Sequence, residues 1–350
     1  MATIIVTGGG TAGHCIPILA ILPYLKNNFD KIYYIGSKNG IEKSIIEKTD
    51  IPYYSISCAK LHRAITLKNL KIPFSVFRGV KQAEKLLDKL KPDVIFSKGG
   101  FVAIPTVLAA KKKKIPIIIH ESDYTIGLAN KISARYSTKV LTSFPDTASS
   151  IKNGEYVGSP LRQSLFKTNK KQSLEEFGFS GKKPILLVTG GSLGAQKINS
   201  AIRNALPELL PKFDILHICG KNNIDKEKTL NGYIQKEFIS NIENAFSITD
   251  VCVTRAGSNT LFELMSLKIP CVLIPLPKGN SRGDQVLNAS YFQKQGLATV
   301  LPQNDLTTQS LVFAINCIYA NRFNVKRNFE KFPIPNACPT IAKIITDCVK

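Results

Sequence analysis

The part of this chain best equipped for chemistry is its opening, TIIVTGGGTAGHCIP. Gly8, Gly10 and Gly13 fall there in a G-x-G-x-x-G spacing and His14 follows directly. A strand that ends in glycines lets backbone N–H groups approach a ligand closely. The helix after it turns its positive end toward anionic oxygens. A second turn of this kind, VTGGSLGA, begins at Val188. An imidazole at a glycine-loop tip can take a proton or stabilise a diphosphate, although a lone histidine is also an ordinary structural residue. Glu121 closes the apolar run IPIIIHE, at the carboxyl end of a strand, where α/β sheets bind ligands.

The first spacing suggests a dinucleotide site. Such a site also needs an acid about 20 residues on, at the end of the second strand, to hold the ribose hydroxyls. Here that strand is KIYYIGSKNG and ends in Gly36-Ser37-Lys38, while Asp30 precedes it at the wrong end. Ser37 and Lys38 leave an NADP reading open. The second turn lacks the spacing, and both halves of the chain are taken up by nucleotide-type folds with no separate catalytic domain, which disfavours hydride transfer.

The elements that must carry these turns alternate. TIIVTGG, KIYYIGS, DVIFSKGG, IPIIIHES and TKVLTS read as strands, near-continuously apolar as parallel strands buried on both faces should be. Helical patterns over 41–49, 74–90 and 127–136 lie between them. The pattern restarts at KPILLVTGGSLGAQKINSAI and continues through FDILHICG, DVCVTRAGS, PCVLIPLP and LATVLP. This predicts an α/β chain of two Rossmann-like domains in tandem, 1–157 and 158–350, with the hinge within EYVGSPLRQS. Two such turns facing each other across a cleft would hold a nucleotide diphosphate on one side and an acceptor on the other, as in a GT-B glycosyltransferase. The last helix is left open to cross back onto the first domain.

Composition narrows the partners. The 350 residues are 44% hydrophobic, enough for two cores. No apolar run reaches the ~18 residues of a membrane span, and no signal peptide is evident at the start, so a cytosolic location is expected. The eight cysteines have no C-x-x-C pair and read as reduced thiols; the four histidines show no metal-ligand spacing. Lys and Arg number 47 against 25 acids, giving +22, a field that draws nucleic acid, anionic membrane or phosphate-bearing substrates.

Several stretches together resemble one family, the MurG N-acetylglucosaminyltransferases. They are GGGTAGHCIP, SKGGFVAIP, HESDYTIGLANK, VGSPLR, VTGGSLGA, EFI, RAGSNTLFE and GDQVLNA, in the family's order along nearly the whole chain. The resemblance implies an inverting transfer of N-acetylglucosamine from UDP-N-acetylglucosamine to the muramoyl 4-hydroxyl of an undecaprenyl-diphosphate-linked acceptor. Direct displacement needs a base for that hydroxyl and stabilisation of the departing UDP. No cofactor or metal is implied, and no D-x-D motif is present.

By the same resemblance, the donor sits on the C-terminal half. Ser192 would hold its diphosphate, Arg162 its nucleotide end, and the backbone at Ile239 its uracil. Ser258 or Asn259 would cap a helix that carries Thr260 and Glu263, whose carboxylate would accept from the ribose hydroxyls. Gln285 and Asn288 would bind the sugar. Thr11, Ala12, Gly13 and His14 would line the acceptor side, the first three also counted among the contacts to UDP-N-acetylglucosamine. His14 and Glu121 are both candidate bases. Where the family loop is often H-E-Q-N, this chain has His120-Glu121-Ser122-Asp123, and an Asp there would repel a diphosphate.

A lipid-linked acceptor implies contact with a membrane. In LHRAITLKNLKIPFSVFRGVKQAEK, Leu67, Leu70, Phe74 and Phe77 interleave with Lys68, Lys71, Arg78 and Lys81, as an interfacial segment should on an anionic surface. The four lysines at 111–114 add charge, and the protein is expected on the cytoplasmic face of the cell membrane. Two rivals remain. Another UDP-sugar transferase or an epimerase would share the fold, and a basic nucleic-acid-binding protein would share the charge but lacks a recognition module and any tryptophan.

Overall fold

The computed structural model describes residues 2–59, 72–191, 194–279 and 282–349. The chain forms two compact units, Met1–Arg162 with Asn336–Lys350, and Gln163–Pro335. The change of unit falls inside the stretch that breaks both sequence periods. Residues 158–162 stay with the first unit because Gly158 N donates to Thr142 O, and Leu161 exchanges hydrogen bonds with Asn336.

The strands are β1 (Thr3–Thr7), β2 (Lys31–Ser37), β3 (Tyr53–Ile56), β4 (Val94–Ser97), β5 (Ile117–Glu121), β6 (Lys139–Thr142) and β7 (Gly154–Tyr156) in the first unit. The second unit has β8 (Ile185–Thr189), β9 (Asp214–Ile218), β10 (Tyr233–Lys236), β11 (Val251–Thr254), β12 (Cys271–Leu273) and β13 (Ala298–Val300). Every pairing between these strands is parallel. The orders are β3-β2-β1-β4-β5-β6-β7 and β10-β9-β8-β11-β12-β13. Each sheet therefore reverses direction of winding beside its first strand, between β1 and β4 and between β8 and β11. At such switch points the crevice at the carboxyl ends of the strands is open to ligands, and the two glycine turns stand there.

Helices α1 (Ala12–Lys26), α2 (Ile41–Ile46), α3 (Ile72–Leu90), α4 (Ile104–Lys112), α5 (Leu128–Ala134) and α6 (Pro145–Ser149) belong to the first unit. The second has α7 (Lys170–Phe177), α8 (Gln196–Leu209), α9 (Ile242–Ile248), α10 (Ser258–Ser266), α11 (Asp284–Lys294), α12 (Thr308–Ala320) and α13 (Arg322–Lys331). The last, α14 (Cys338–Asp347), packs against α1 and returns the chain to the first unit. Its Ile341, Ile344 and Ile345 are buried in one cluster with Ile4, Ile18 and Ile21, each burial stabilising by about 1.5–3 kcal/mol. β1, β5, β8 and β9 are buried throughout, which accounts for their largely apolar sequences.

Candidate active site

The first glycine turn leaves β1 and enters α1. Gly10 has φ +85, and a Cβ there would stand 2.5 Å from the Phe101 ring, so only glycine fits. The neighbouring loop after β4 lies against it backbone to backbone. Gly9 N donates to Gly99 O at 3.2 Å, and a Cβ on Gly100 would meet Gly9 O at 2.1 Å.

Gly10 N donates to Glu42 Oε2 at 3.1 Å, and Glu42 Oε1 accepts from Ser37 N at 3.1 Å and from the Ser37 hydroxyl. Sequence reasoning missed Glu42. It looked for an acid on β2 itself, whereas this one reaches back from α2; the signal was an acid in the first turn of a helix capped by Gly40.

Thr11 is the N-cap of α1, but its hydroxyl makes no capping bond. It lies instead 2.9 Å from His14 Nδ1, while His14 N donates to Thr11 O at 3.1 Å. Thr11 and Gly13 are exposed, and Ala12 and His14 half-buried. The imidazole thus stands at the carboxyl edge of the sheet with one nitrogen against a hydroxyl.

Glu121 ends β5 and is buried. Oε1 accepts from Asp123 N at 3.0 Å, and Oε2 from Gly127 N and from Asn130 Nδ2, both at 2.9 Å. Both oxygens hold the 121–130 turn. Burial first, and then the Asp123 charge, push its carboxyl above the usual range.

Lys98, just past β4, was also missed; the signal was a charged residue directly after a fully buried strand. Its ammonium is buried and donates to Ser122 Oγ at 2.5 Å. Burial pulls its pKa down to about 8 against the opposing charges of Glu121 and Asp123. The Asp at 123 therefore has a cation within its field, which lessens the repulsion expected of it. His120 Nε2 donates to Gly158 O at 3.0 Å, and burial holds the ring neutral.

In the second unit the turn after β8 is tighter. Gly194 has φ +74 and Gly194 N donates to Gly191 O at 2.9 Å; a Cβ at Gly194 would meet Cys219 O at 2.1 Å. Gly191, with φ +84, has nothing within 4 Å on its Cβ side, and α8 begins without a side-chain cap. Ser192 lies outside the described residues.

α10 starts at Ser258 with Gly257 as its cap, one residue before the caps expected, so Ser258 and Asn259 are helical; Ser258 is buried, and Asn259, Thr260 and Glu263 half-buried. Asn288 is buried and ties α11 to this turn through Ala256 O at 3.1 Å, and Gln285 Oε1 accepts from Leu276 N at 3.0 Å. Arg255, the first residue of RAGSNTLFE, donates to Ile274 O and to Gln303 Oε1. Ser258, Asn259 and Thr260 thus stand in the first turn of α10, just past the carboxyl end of β11 where Asn288 is tied to Ala256, and Glu263 lies further along the same helix. Ile239 is half-buried in the loop after β10, and Arg162 closes the chain's first passage through the first unit.

On α3, Gly79, Ala83 and Leu87 face inward while Phe74 and Phe77 are 73% and 57% exposed. Lys81 Nζ stands 4.7 Å over the Phe77 ring. Leu67 and Leu70, with Lys68 and Lys71, lie outside the described residues. The lysine run is less open than its sequence suggests. Lys112 pairs with Glu84 at 3.0 Å, Lys113 with Asp88 at 2.5 Å, and Lys111 stacks over Tyr136 at 4.1 Å. Among the described residues no helix is long and apolar enough to cross a membrane.

Residues 4–142 match the glycosyltransferase family 28 N-terminal domain and residues 185–338 its C-terminal domain. A UDP-N-acetylglucosamine--N-acetylmuramyl-(pentapeptide) pyrophosphoryl-undecaprenol N-acetylglucosamine transferase of Bacillus thuringiensis is 47% identical over 351 residues, covering 99% of this chain and 100% of its own. The same-named transferase of Lachnospira eligens is 47% identical over 353 residues, covering 99% of each chain. The crystal structure of Acinetobacter baumannii MurG aligns with a TM-score of 0.80 at 24% identity, over 99% of this chain and 100% of that one. A UDP-GlcNAc 2-epimerase from Neisseria meningitidis shares the fold at a TM-score of 0.67 and 16% identity, over 100% of this chain and 99% of that one.

Proposed function

This chain belongs to glycosyltransferase family 28, and from that premise we propose how its residues carry the transfer. It is an N-acetylglucosaminyltransferase that moves the sugar from UDP-N-acetylglucosamine to the muramoyl acceptor on undecaprenyl diphosphate, a step of peptidoglycan precursor synthesis. The observation that carries this is identity of 47% across the full length of transferases so named.

In the inverting displacement, the acceptor 4-hydroxyl attacks the anomeric carbon, its proton passes to a base, and the bond to the UDP oxygen breaks. His14 is the base in this reading. Thr11 Oγ1 lies 2.9 Å from Nδ1 and so orients the ring, and an imidazole at the start of α1 is a group of the right kind to take the proton. Glu121 is assigned to holding the 121–130 turn, since three donors already occupy its oxygens. Thr11, Ala12 and Gly13 flank the base, at the exposed start of α1.

The donor is assigned to the second unit. The open face of Gly191 and the uncapped start of α8 suit a diphosphate, with Ser192 beside them. Glu263, one turn into α10, takes the ribose hydroxyls. Ser258, Asn259, Thr260, Gln285 and Asn288 shape the sugar side, and Ile239 and Arg162 take the nucleotide end. The protein works at the cytoplasmic face of the membrane, touching anionic lipid through Phe74 and Phe77 with the basic residues around them, and Leu67 and Leu70 continue that segment. It binds no nucleic acid in this role.

The test is transfer of labelled N-acetylglucosamine to the lipid-linked muramoyl-pentapeptide in detergent, with a control lacking acceptor. Label in the lipid fraction is expected. Turnover of the donor without acceptor, and none with it, would replace this reading with an epimerase. Sedimentation with vesicles tests the membrane contact, and equal recovery on neutral and anionic lipid would remove it.

A further inference from the structure

Glu42 has no part in the transfer, yet the first glycine turn and the end of β2 both close on it. It stands in the first turn of α2, is wholly buried, and its carboxylate joins Gly10 N at the glycine turn to Ser37 at the end of β2. Two glycines make the space. A Cβ on Gly9 would lie 2.6 Å from Glu42 Cδ, and one on Gly40 2.1 Å from its Oε1. The anion is felt by its neighbours: after burial, it is the next cause that pushes the Cys15 and Cys58 thiols up to about 12.

At a dinucleotide site the loop amides receive a ligand's phosphate, and an acid at the end of the second strand receives the ribose. Here one side chain fills both positions. Gly10 N already has its acceptor in Glu42, and Gly9 N has one in Gly99 O. An incoming diphosphate finds those amides already taken by acceptors of the fold. The first turn therefore has its shape without a ligand, and that shape does not suit a dinucleotide.

We propose that Glu42 is a built-in acceptor that holds the first glycine turn in working shape and so acts as the positioning residue for His14. The proposal rests on the transfer reading above. The connection runs through three consecutive steps. The carboxylate fixes the Gly10 amide, Gly10 at φ +85 sets the direction of Thr11, and Thr11 holds His14 by its carbonyl at 3.1 Å and its hydroxyl at 2.9 Å.

The experiment measures transfer to the lipid-linked acceptor for Glu42→Ala and Glu42→Gln, alone and combined with Thr11→Val, which removes the hydroxyl arm of the same connection but leaves the Thr11 carbonyl and the imidazole. Donor binding is followed on the same preparations by calorimetry. Glu42→Ala is expected to lower kcat tenfold or more and Glu42→Gln less, while the dissociation constant for UDP-N-acetylglucosamine stays within twofold. In the Thr11→Val background Glu42→Gln should cost less than half of its factor in the wild type, because coupled residues are not additive.

A wild type that transfers nothing overturns the transfer reading and this role with it. A wild type that transfers, beside Glu42 variants with unchanged kcat, or with factors that simply multiply, overturns the Glu42 proposal alone. Should Glu42→Ala fail to fold, Glu42→Gln keeps the volume and one acceptor oxygen and decides the matter by the same cycle.

Discussion

Thr11 Oγ1 lies 2.9 Å from His14 Nδ1, and this hydroxyl makes no capping bond to a backbone amide of the helix it caps. A cap residue whose oxygen is turned to a side chain instead of a backbone amide gives up a bond of the kind that usually stabilises helix starts. The arrangement serves the imidazole. His14→Ala is expected to lower kcat by about 10²–10⁴, the range of a general base, with donor affinity unchanged in calorimetry. Thr11→Val removes one hydrogen bond and should cost roughly two- to tenfold. Equal kcat in His14→Ala and wild type would exclude His14 as the base.

Glu121 behaves differently under the same measurement. Its oxygens accept from Asp123 N, Gly127 N and Asn130 Nδ2, so Glu121→Gln sets an amide donor against donors already in place. A stability loss of about 1–3 kcal/mol is expected, seen as a lower melting temperature, with kcat of the folded fraction changed far less than in His14→Ala. A hundredfold loss of kcat at an unchanged melting temperature would make Glu121 the base.

Acid should loosen the second unit. His217 is buried on β9, donating from Nε2 to Asn199 Oδ1 at 3.0 Å and accepting at Nδ1 from the Tyr233 hydroxyl at 2.8 Å. Burial, then the Arg203 charge, lower its pKa from 6.5 to about 3. Between these values the unfolded chain binds the proton and the folded chain does not. The contribution is intact above pH 6.5 and shrinks as pH falls, by about 2 kcal/mol at pH 5. Melting curves from pH 7 to 5 should shift down in the wild type and less in His217→Gln; parallel shifts would contradict the assignment.

Glu263→Ala tests the donor assignment. A carboxylate that accepts from ribose hydroxyls makes charge-assisted bonds worth about 1.5–3 kcal/mol, so UDP-N-acetylglucosamine should bind roughly tenfold to hundredfold more weakly by calorimetry, with NADPH as a non-binding control. Unchanged affinity would move the ribose elsewhere.

Much of this fold can be read from the chain because the strands at the centre of each sheet are buried on both faces, and burial on both faces leaves an unbroken apolar run. Three of the four edge strands were not legible for the converse reason, the exception being β13 in LATVLP. β3, β7 and β10 are short and partly exposed, so YYSI, GEY and YIQK carry no such run.

The glycine turns, His14 and Glu121 stood out because strand ends mark them. Glu42 and Lys98 did not, since each acts by folding back onto backbone or a hydroxyl from a different element, a relation that no local spacing encodes. The lysine run at 111–114 read as open charge because its partners Glu84 and Asp88 lie on α3, a turn of sheet away in sequence.

The return of α14 to the first unit has a consequence for the order of synthesis. Chains emerge at roughly 5–20 residues per second, and domains usually fold as they emerge, the N-terminal one first. Here the first unit lacks Cys338, Ile341 and Ile345 of its core until the last residues appear, whereas Gln163–Pro335 is continuous and complete before them. The second unit is therefore the earlier one to finish on the ribosome, and the first waits on the order of tens of seconds with one side of its core uncovered. A message cut short between codons 335 and 338 would yield a finished second unit joined to a first that cannot close.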